Sequence, residues 1–134
     1  MTVLDDDHRA FLAVAMRGAL FANRRDTTPT GWPMTLLWRG DDHLYVNTYR
    51  KAAKADVLVR DGRVGVIARH DGRALAVQGD AVLVPQEEAA PMFPSMVRTD
   101  GFVPPEQAAR TVQRLREGKR CLFRITPGTV WWLA

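Results

Sequence analysis

Asp71-Gly72 separates two runs, Arg63 to His70 and Ala74 to Val84, that are rich in aliphatic and β-branched residues. An Asp-Gly pair tolerates the positive φ angles that a type I′ turn requires, and that turn matches the twist of two antiparallel strands. This hairpin excludes an all-helical fold and places an antiparallel sheet in the middle of the chain. A second hairpin follows from the same chemistry. Met34-Thr35-Leu36-Leu37-Trp38 and Leu44-Tyr45-Val46-Asn47-Thr48 suit strands and flank the turn residues Gly40-Asp41-Asp42. Leu20 to Asn23 is a short apolar run ahead of the turn-rich stretch Arg24 to Gly31, and Pro127-Gly128 divides two last strands, Cys121 to Ile125 and Thr129 to Leu133.

Helical signals sit between and around these strands. Asp5-Asp6-Asp7 can cap a first helix over His8 to Arg17, with Gly18 at its C-terminal side. Ala52 to Arg60 is a short Ala-rich helix. Pro91, Pro94, Pro104 and Pro105 break the region after Pro85 into a loop or interrupted helix. Pro105-Glu106 then open a helix with Ala108, Val112 and Leu115 on one face, ended by Gly118. About seven short strands with helices at the start, at a middle crossover and before the last strands read as mainly β with peripheral helices (α+β), a barrel or sandwich decorated by helices. The 134 residues suit one domain, 1–134, with no room for a second.

Several classes of function are set aside. No run approaches the roughly 18 apolar residues of a membrane span. The acidic N-terminus lacks the basic-then-apolar order of a signal peptide, and Cys121 stands alone, so a reduced, cytoplasmic setting is expected. His8, His43 and His70 show no metal-ligand spacing, so no metal is expected, and no nucleophile elbow or phosphate-binding glycine loop is present. The formal charge of +4 suggests an anionic partner without naming it.

Two constellations could carry chemistry. Arg50-Lys51-Ala52-Ala53-Lys54 follows a strand and enters a helix, where free N–H groups and the helix dipole already favour an anion. Asn47 and Thr48 at the strand end add an amide and a hydroxyl, a donor set able to hold a phosphate monoester. The alternative is a solvated basic turn. In Thr30 to Trp38, an open strand edge could offer backbone groups to a planar heterocycle, or Trp32 and Trp38 are simply core.

The ordered set Gly31-Trp32-Pro33-Met34-Thr35-Leu36-Leu37-Trp38, Leu44 to Thr48, Lys54-Ala55, Asp61-Gly62-Arg63-Val64 and Val77-Gln78-Gly79-Asp80-Ala81 resembles the pyridoxamine 5′-phosphate oxidase-like family of FMN-binding split β-barrels. The likeness runs from about Leu20 to Val84, and Gly62 stands where that family commonly has proline. It implies a homodimer with FMN sites at the subunit interface and hydride transfer to or from a small substrate. Met34, Thr35, Leu36 and Leu37 would contact the isoalloxazine ring through their backbone. Asn47 and Thr48 would bond the ribityl-phosphate end, Lys54 would pair with the phosphate, and Arg50 and Lys51 would share that task. Gln78, or a C-terminal tryptophan from the other subunit, would complete the site. No histidine follows His70, which argues against the phosphate-clasping C-terminus of the true oxidases. The deazaflavin coenzyme F-420 is the alternative cofactor, and a non-catalytic flavin carrier is the alternative role. No side chain is nominated as acid or base. A nucleic-acid partner is not expected, because the tryptophans sit in apolar strands instead of interleaving with arginines.

Overall fold

The computed structural model describes residues 3–15, 17–96 and 104–134. Seven strands form one antiparallel sheet: β1 (Arg17–Asn23), β2 (Pro29–Thr35), β3 (Leu37–Trp38), β4 (Leu44–Tyr49), β5 (Arg63–His70), β6 (Arg73–Leu83) and β7 (Arg120–Trp132). Their spatial order is β2-β1-β5-β6-β7-β4-β3. The two outermost strands, β2 and β3, are consecutive in the chain with only Leu36 between them. The sheet therefore curls until one bent segment touches β1 at one end and β4 at the other.

The 71–72 hairpin forms as its turn chemistry requires, with φ of 51° at Asp71 and 75° at Gly72. Other boundaries differ from the sequence expectation. The first helix, α1 (Asp6–Val14), starts and stops earlier than His8 to Arg17. Its cap is a reciprocal box: the His8 N–H donates to Asp5 Oδ1 at 2.8 Å, and the Asp5 N–H donates to His8 Nδ1 at 3.0 Å. Gly18 is no helix cap. It lies within β1, where a Cβ would stand 2.2 Å from the Ile67 carbonyl oxygen.

β2 begins at Pro29 instead of Met34, inside the stretch that reads as a turn. Pro29 and Pro33 are tolerated because β2 bonds only to β1 and its other edge needs no N–H. Pro127-Gly128 does not end a strand either. Gln78 pairs with Thr129 and Gly79 with Pro127, so Gly128 is the extra residue of a bulge within one continuous β7. The region after Pro85 is helical, α3 (Gln86–Met92) running into a 3₁₀ turn (Phe93–Met96). α2 spans Ala53–Arg60 and α4 spans Pro105–Arg116, both close to expectation.

Alternation along the strands sends one set of side chains into the curl. Leu20, Val46, Val66, Leu75, Phe123 and Ile125 are all buried there, and Leu12 of α1 and Leu58 of α2 join the same cluster. A second core lies on the outside of the sheet. Leu37, Tyr45 and Leu122 face outward and are covered by α3, the 3₁₀ turn and α4 through Ala89, Phe93, Met96 and Leu115. None of the helices among the described residues is long and apolar enough to cross a membrane.

Candidate functional site

The barrel is split where β2 and β4 part. Leu37 pairs with Tyr45 and Trp38 with Leu44, but from Leu36 backward the chain turns away to pair with β1. Val46 to Tyr49 consequently pair with β7 only, leaving their other edge open. The segment Met34 to Leu37 and the segment Asn47 to Lys54 thus diverge from one closure point.

The candidate residues other than Gln78 fall on both walls of this split. Met34 is half-buried against the core and Thr35 is exposed. Leu36 and Leu37 are buried on opposite faces of the sheet, in the inner and outer core respectively. Thr48 is buried, whereas Asn47 is half-buried with a side-chain carbonyl that has no hydrogen-bond partner. A buried acceptor without a partner costs its desolvation, so this oxygen, like the buried Arg120 Nε on the adjacent strand β7, is open to a partner. Arg50 and Lys51 lie in the turn that leads to α2, and Lys54 is in its first turn. The N-cap of α2 is Ala52, which offers no side-chain bond to the free N–H groups. Gln78 is exposed on β6, in a separate shallow cleft with Phe21, Gly65 and Thr129.

Several cations elsewhere are held by carboxylates. Arg9 pairs with Asp42 at 2.8 Å, Arg63 with Asp61 at 2.7 Å and Lys119 with Glu117 at 3.4 Å. Arg50 instead donates from Nε to the Gly118 carbonyl at 3.0 Å, and Lys51 and Lys54 have no carboxylate partner among the described residues. The displaced acids and thiol do not suit proton transfer near neutral pH. The side chain and backbone N–H of Arg63 hold the Asp61 carboxyl at about 2. Burial pushes the Cys121 thiol up, and burial with the bond to Asp41 pushes the Tyr45 hydroxyl up. Among the described residues, no group of three His, Cys, Asp or Glu side chains could hold a metal.

The other half of the outer face is bare among the described residues. Across β2, β1, β5, β6 and β7 the register sets Pro33, Ala19, Ile67, Ala76 and Trp131 in one row, and Gly31, Phe21, Gly65, Gln78 and Thr129 in the next. Phe21 is 41% exposed and Trp131 40% exposed, large values for aromatic residues on an apolar strip. Gly31 makes room for the Phe21 ring, since a Cβ there would stand 2.6 Å from it.

No protein-family model and no curated protein sequence matches this chain. Solved structures do match it. The conserved hypothetical protein Rv2991 of Mycobacterium tuberculosis is 23% identical, with a TM-score of 0.76 over 98% of this chain and 85% of that one. An F-420 reductase is 20% identical, with a TM-score of 0.70 over 96% of this chain and 98% of its own. A provisionally assigned pyridoxamine 5′-phosphate oxidase of Listeria innocua is also 20% identical, with a TM-score of 0.70 over 96% of each chain. The fold is the split β-barrel.

The resemblance read from the ordered motifs therefore holds at the level of the fold. The split barrel also contains features that motif reading missed. Arg17 and Arg69 lie directly opposite each other on the outer face of β1 and β5. Each is an ordinary polar residue at a strand end when read alone, and only the register between the strands makes them a pair.

Proposed function

We propose that this split barrel is a flavin-binding oxidoreductase that works as a homodimer, with FMN as the cofactor. The carrying observation is the wall of the split: an unpaired buried Asn47 carbonyl in the strand that leads to Lys51 and Lys54, which lack carboxylate partners among the described residues, at the uncapped start of α2. An acceptor, two point charges and free helix N–H groups suit a polyol joined to a phosphate. In this reading Lys54, with Arg50 and Lys51, holds the phosphate, and Asn47 and Thr48 bond the ribityl end. Met34 to Leu37 present backbone groups to the ring, and Gln78 or Trp131 comes from the second subunit. A bound flavin supplies the redox chemistry by taking up and returning a hydride. The protein's share is to orient the ring, keep water away and leave space for a small substrate.

The bare outer face supports the homodimer. An apolar strip that is flat and made of small residues around Phe21, Ile67 and Trp131 is suited to a second copy of itself. Three cations at one turn also favour a second reading, the deazaflavin coenzyme F-420, whose anionic tail is longer. Absorption spectra of purified protein, followed by titration with FMN and with the deazaflavin, decide between these. Binding of neither removes the proposal. Lys54→Ala is expected to weaken FMN about tenfold or more and riboflavin little, by loss of a charge-assisted contact to phosphate. Equal losses would take Lys54 out of the phosphate role. Turnover with a chemical reductant separates an enzyme from a carrier, and a gel-filtration mass at the monomer value would count against an interface site.

A further inference from the structure

We infer that Arg120, at the start of β7, is a further anion-binding residue of the split and takes a phosphate together with Arg50 of the turn before α2. The ligand that carries the phosphate rests on the flavin reading; the cationic site itself rests on the pairing of β4 with β7.

The register sets Tyr49 opposite Arg120 and Asn47 opposite Leu122. Leu122 belongs to the outer core, so alternation turns Asn47, Tyr49 and Arg120 to the same outer side of the sheet. Arg120 is half-buried, its Nε has no partner, and it makes no ion pair among the described residues. Glu117, the one acid between Arg114 and Arg120, is held by Lys119 at 3.4 Å and by Gln113 at 3.4 Å. A second guanidinium is brought to the same place. The Arg50 N–H donates to the Lys119 carbonyl at 2.9 Å and its Nε to the Gly118 carbonyl at 3.0 Å, which fastens the turn to the two residues before Arg120. Burial raises the pKa of the Cys121 thiol, while the Arg50 and Arg120 charges both draw it down, so both stand near one sulfur. The guanidinium carbon of Arg120 lies 3.9 Å from the centroid of the Tyr49 ring, which is 50% exposed. A cation on an exposed ring is held more weakly than one bonded to an anion, so a phosphate competes well for Arg120.

Position along the strand states which part of a ligand arrives here. Two residues advance a strand by about 6.6 Å on one face, so Tyr49 and Arg120 stand one step beyond Asn47, towards Arg50, Lys51 and α2. A ligand whose polyol meets Asn47 would carry its next group along the open edge of β4 to Arg120 and Arg50. A phosphate monoester brings a charge of about −1.5 to −2 at neutral pH, which two guanidinium groups can match. Arginine at both positions adds a planar fork able to bind two phosphate oxygens at once.

The test titrates the full chain with FMN and with riboflavin, which shares the ring and the polyol but lacks the phosphate. Arg120→Met is expected to weaken FMN about tenfold and riboflavin less than about twofold. Thermal unfolding of the ligand-free variant should occur no lower than in the wild type, because Arg120 has no ion pair to lose, and this also shows that the variant folds. Should the methionine variant not fold, Arg120→Gln, which keeps a hydrogen-bonding side chain, is expected to show the same FMN loss. A purely structural Arg120 would give a lower unfolding midpoint with an unchanged FMN-to-riboflavin ratio, and that result overturns the inference. Equal losses for both flavins overturn it as well. Calorimetry with inorganic phosphate keeps the two readings apart. Arg120-dependent phosphate binding by a protein that binds no flavin removes the flavin reading alone. FMN binding that is independent of Arg120 removes this inference alone, and binding of neither FMN nor phosphate removes both.

Discussion

The outer face of one sheet is treated in two opposite ways. Around β3, β4 and the first half of β7, the outward residues Leu37, Tyr45 and Leu122 are large and lie beneath α3, the 3₁₀ turn and α4. Around β2, β1, β5 and the second half of β7, the outward residues include many small ones, with Phe21 and Trp131 left open and no helix above them among the described residues. The same strand, β7, passes from one regime to the other across its bulge. An intrachain cover needs side chains that interlock with a helix, whereas a flat floor of Ala, Gly and Pro suits a second sheet or a flat ligand. The covered half is closed by this chain's own helices, and the bare half is the face proposed for a second copy.

Truncation on the two sides should separate these halves most clearly. Leu122→Ala, in the fully buried outer core, is expected to cost about 2–5 kcal/mol in urea unfolding. Ile67→Ala on the half-exposed floor should cost less than about 1 kcal/mol at low protein concentration and instead lower the dimer fraction in sedimentation. Similar losses for both would erase the distinction.

A glycine comparison comes next. A Cβ at Gly79 would stand 2.2 Å from the Thr126 carbonyl oxygen, a backbone atom that cannot move without breaking the bulge. Gly79→Ala is therefore expected to destabilise by about 1–3 kcal/mol. At Gly31 the obstacle is the exposed Phe21 ring, which can swing away, so Gly31→Ala should cost within about 0.5 kcal/mol while displacing the ring resonances in NMR.

On the covered side, the Tyr45 hydroxyl donates to Asp41 and accepts from Arg124 Nε at 3.1 Å, joining the 40–42 turn to β7. Tyr45→Phe leaves these groups without their bridge, and a loss of about 1–2 kcal/mol in thermal unfolding is expected. The smallest effect belongs to Asp61 at the start of β5. Its carboxyl is held at about 2 against an ordinary 3.8, so the ionised form favours the folded state. That contribution is complete above about pH 4 and is lost as the pH falls towards 2. Wild type and Asp61→Asn should consequently differ in unfolding midpoint at pH 6 and converge near pH 2. A gap that persists at pH 2 would mean that Asp61 acts through something other than its charge.

Much of the candidate site was legible residue by residue. The basic turn Arg50-Lys51 and Lys54 at a helix start follow from local strand and helix signals, and the 71–72 hairpin from its turn residues, whereas of the run Met34 to Trp38 only Leu37 and Trp38 pair with β4. What motif order alone did not reveal is why Met34 to Leu37 and Asn47 to Lys54 belong to one opening: that depends on the chain leaving β4 at Leu36 to pair with β1. Gly18 and Pro127-Gly128 read as terminators because Gly and Pro carry the same local preferences at a helix end, a turn, a close strand contact and a bulge. Only the neighbouring strand distinguishes these uses, through Ile67 for Gly18 and through Gln78 and Gly79 for Gly128.

By itself the sequence determined the antiparallel hairpins, the mainly β class, the short peripheral helices and the cationic turn, since each rests on φ preferences and periodicity within a few residues. The tertiary structure alone decided where the barrel splits, which half of its outer face remains bare and that Arg17 stands beside Arg69. Those features depend on register between distant strands, and register is set by packing across the whole sheet.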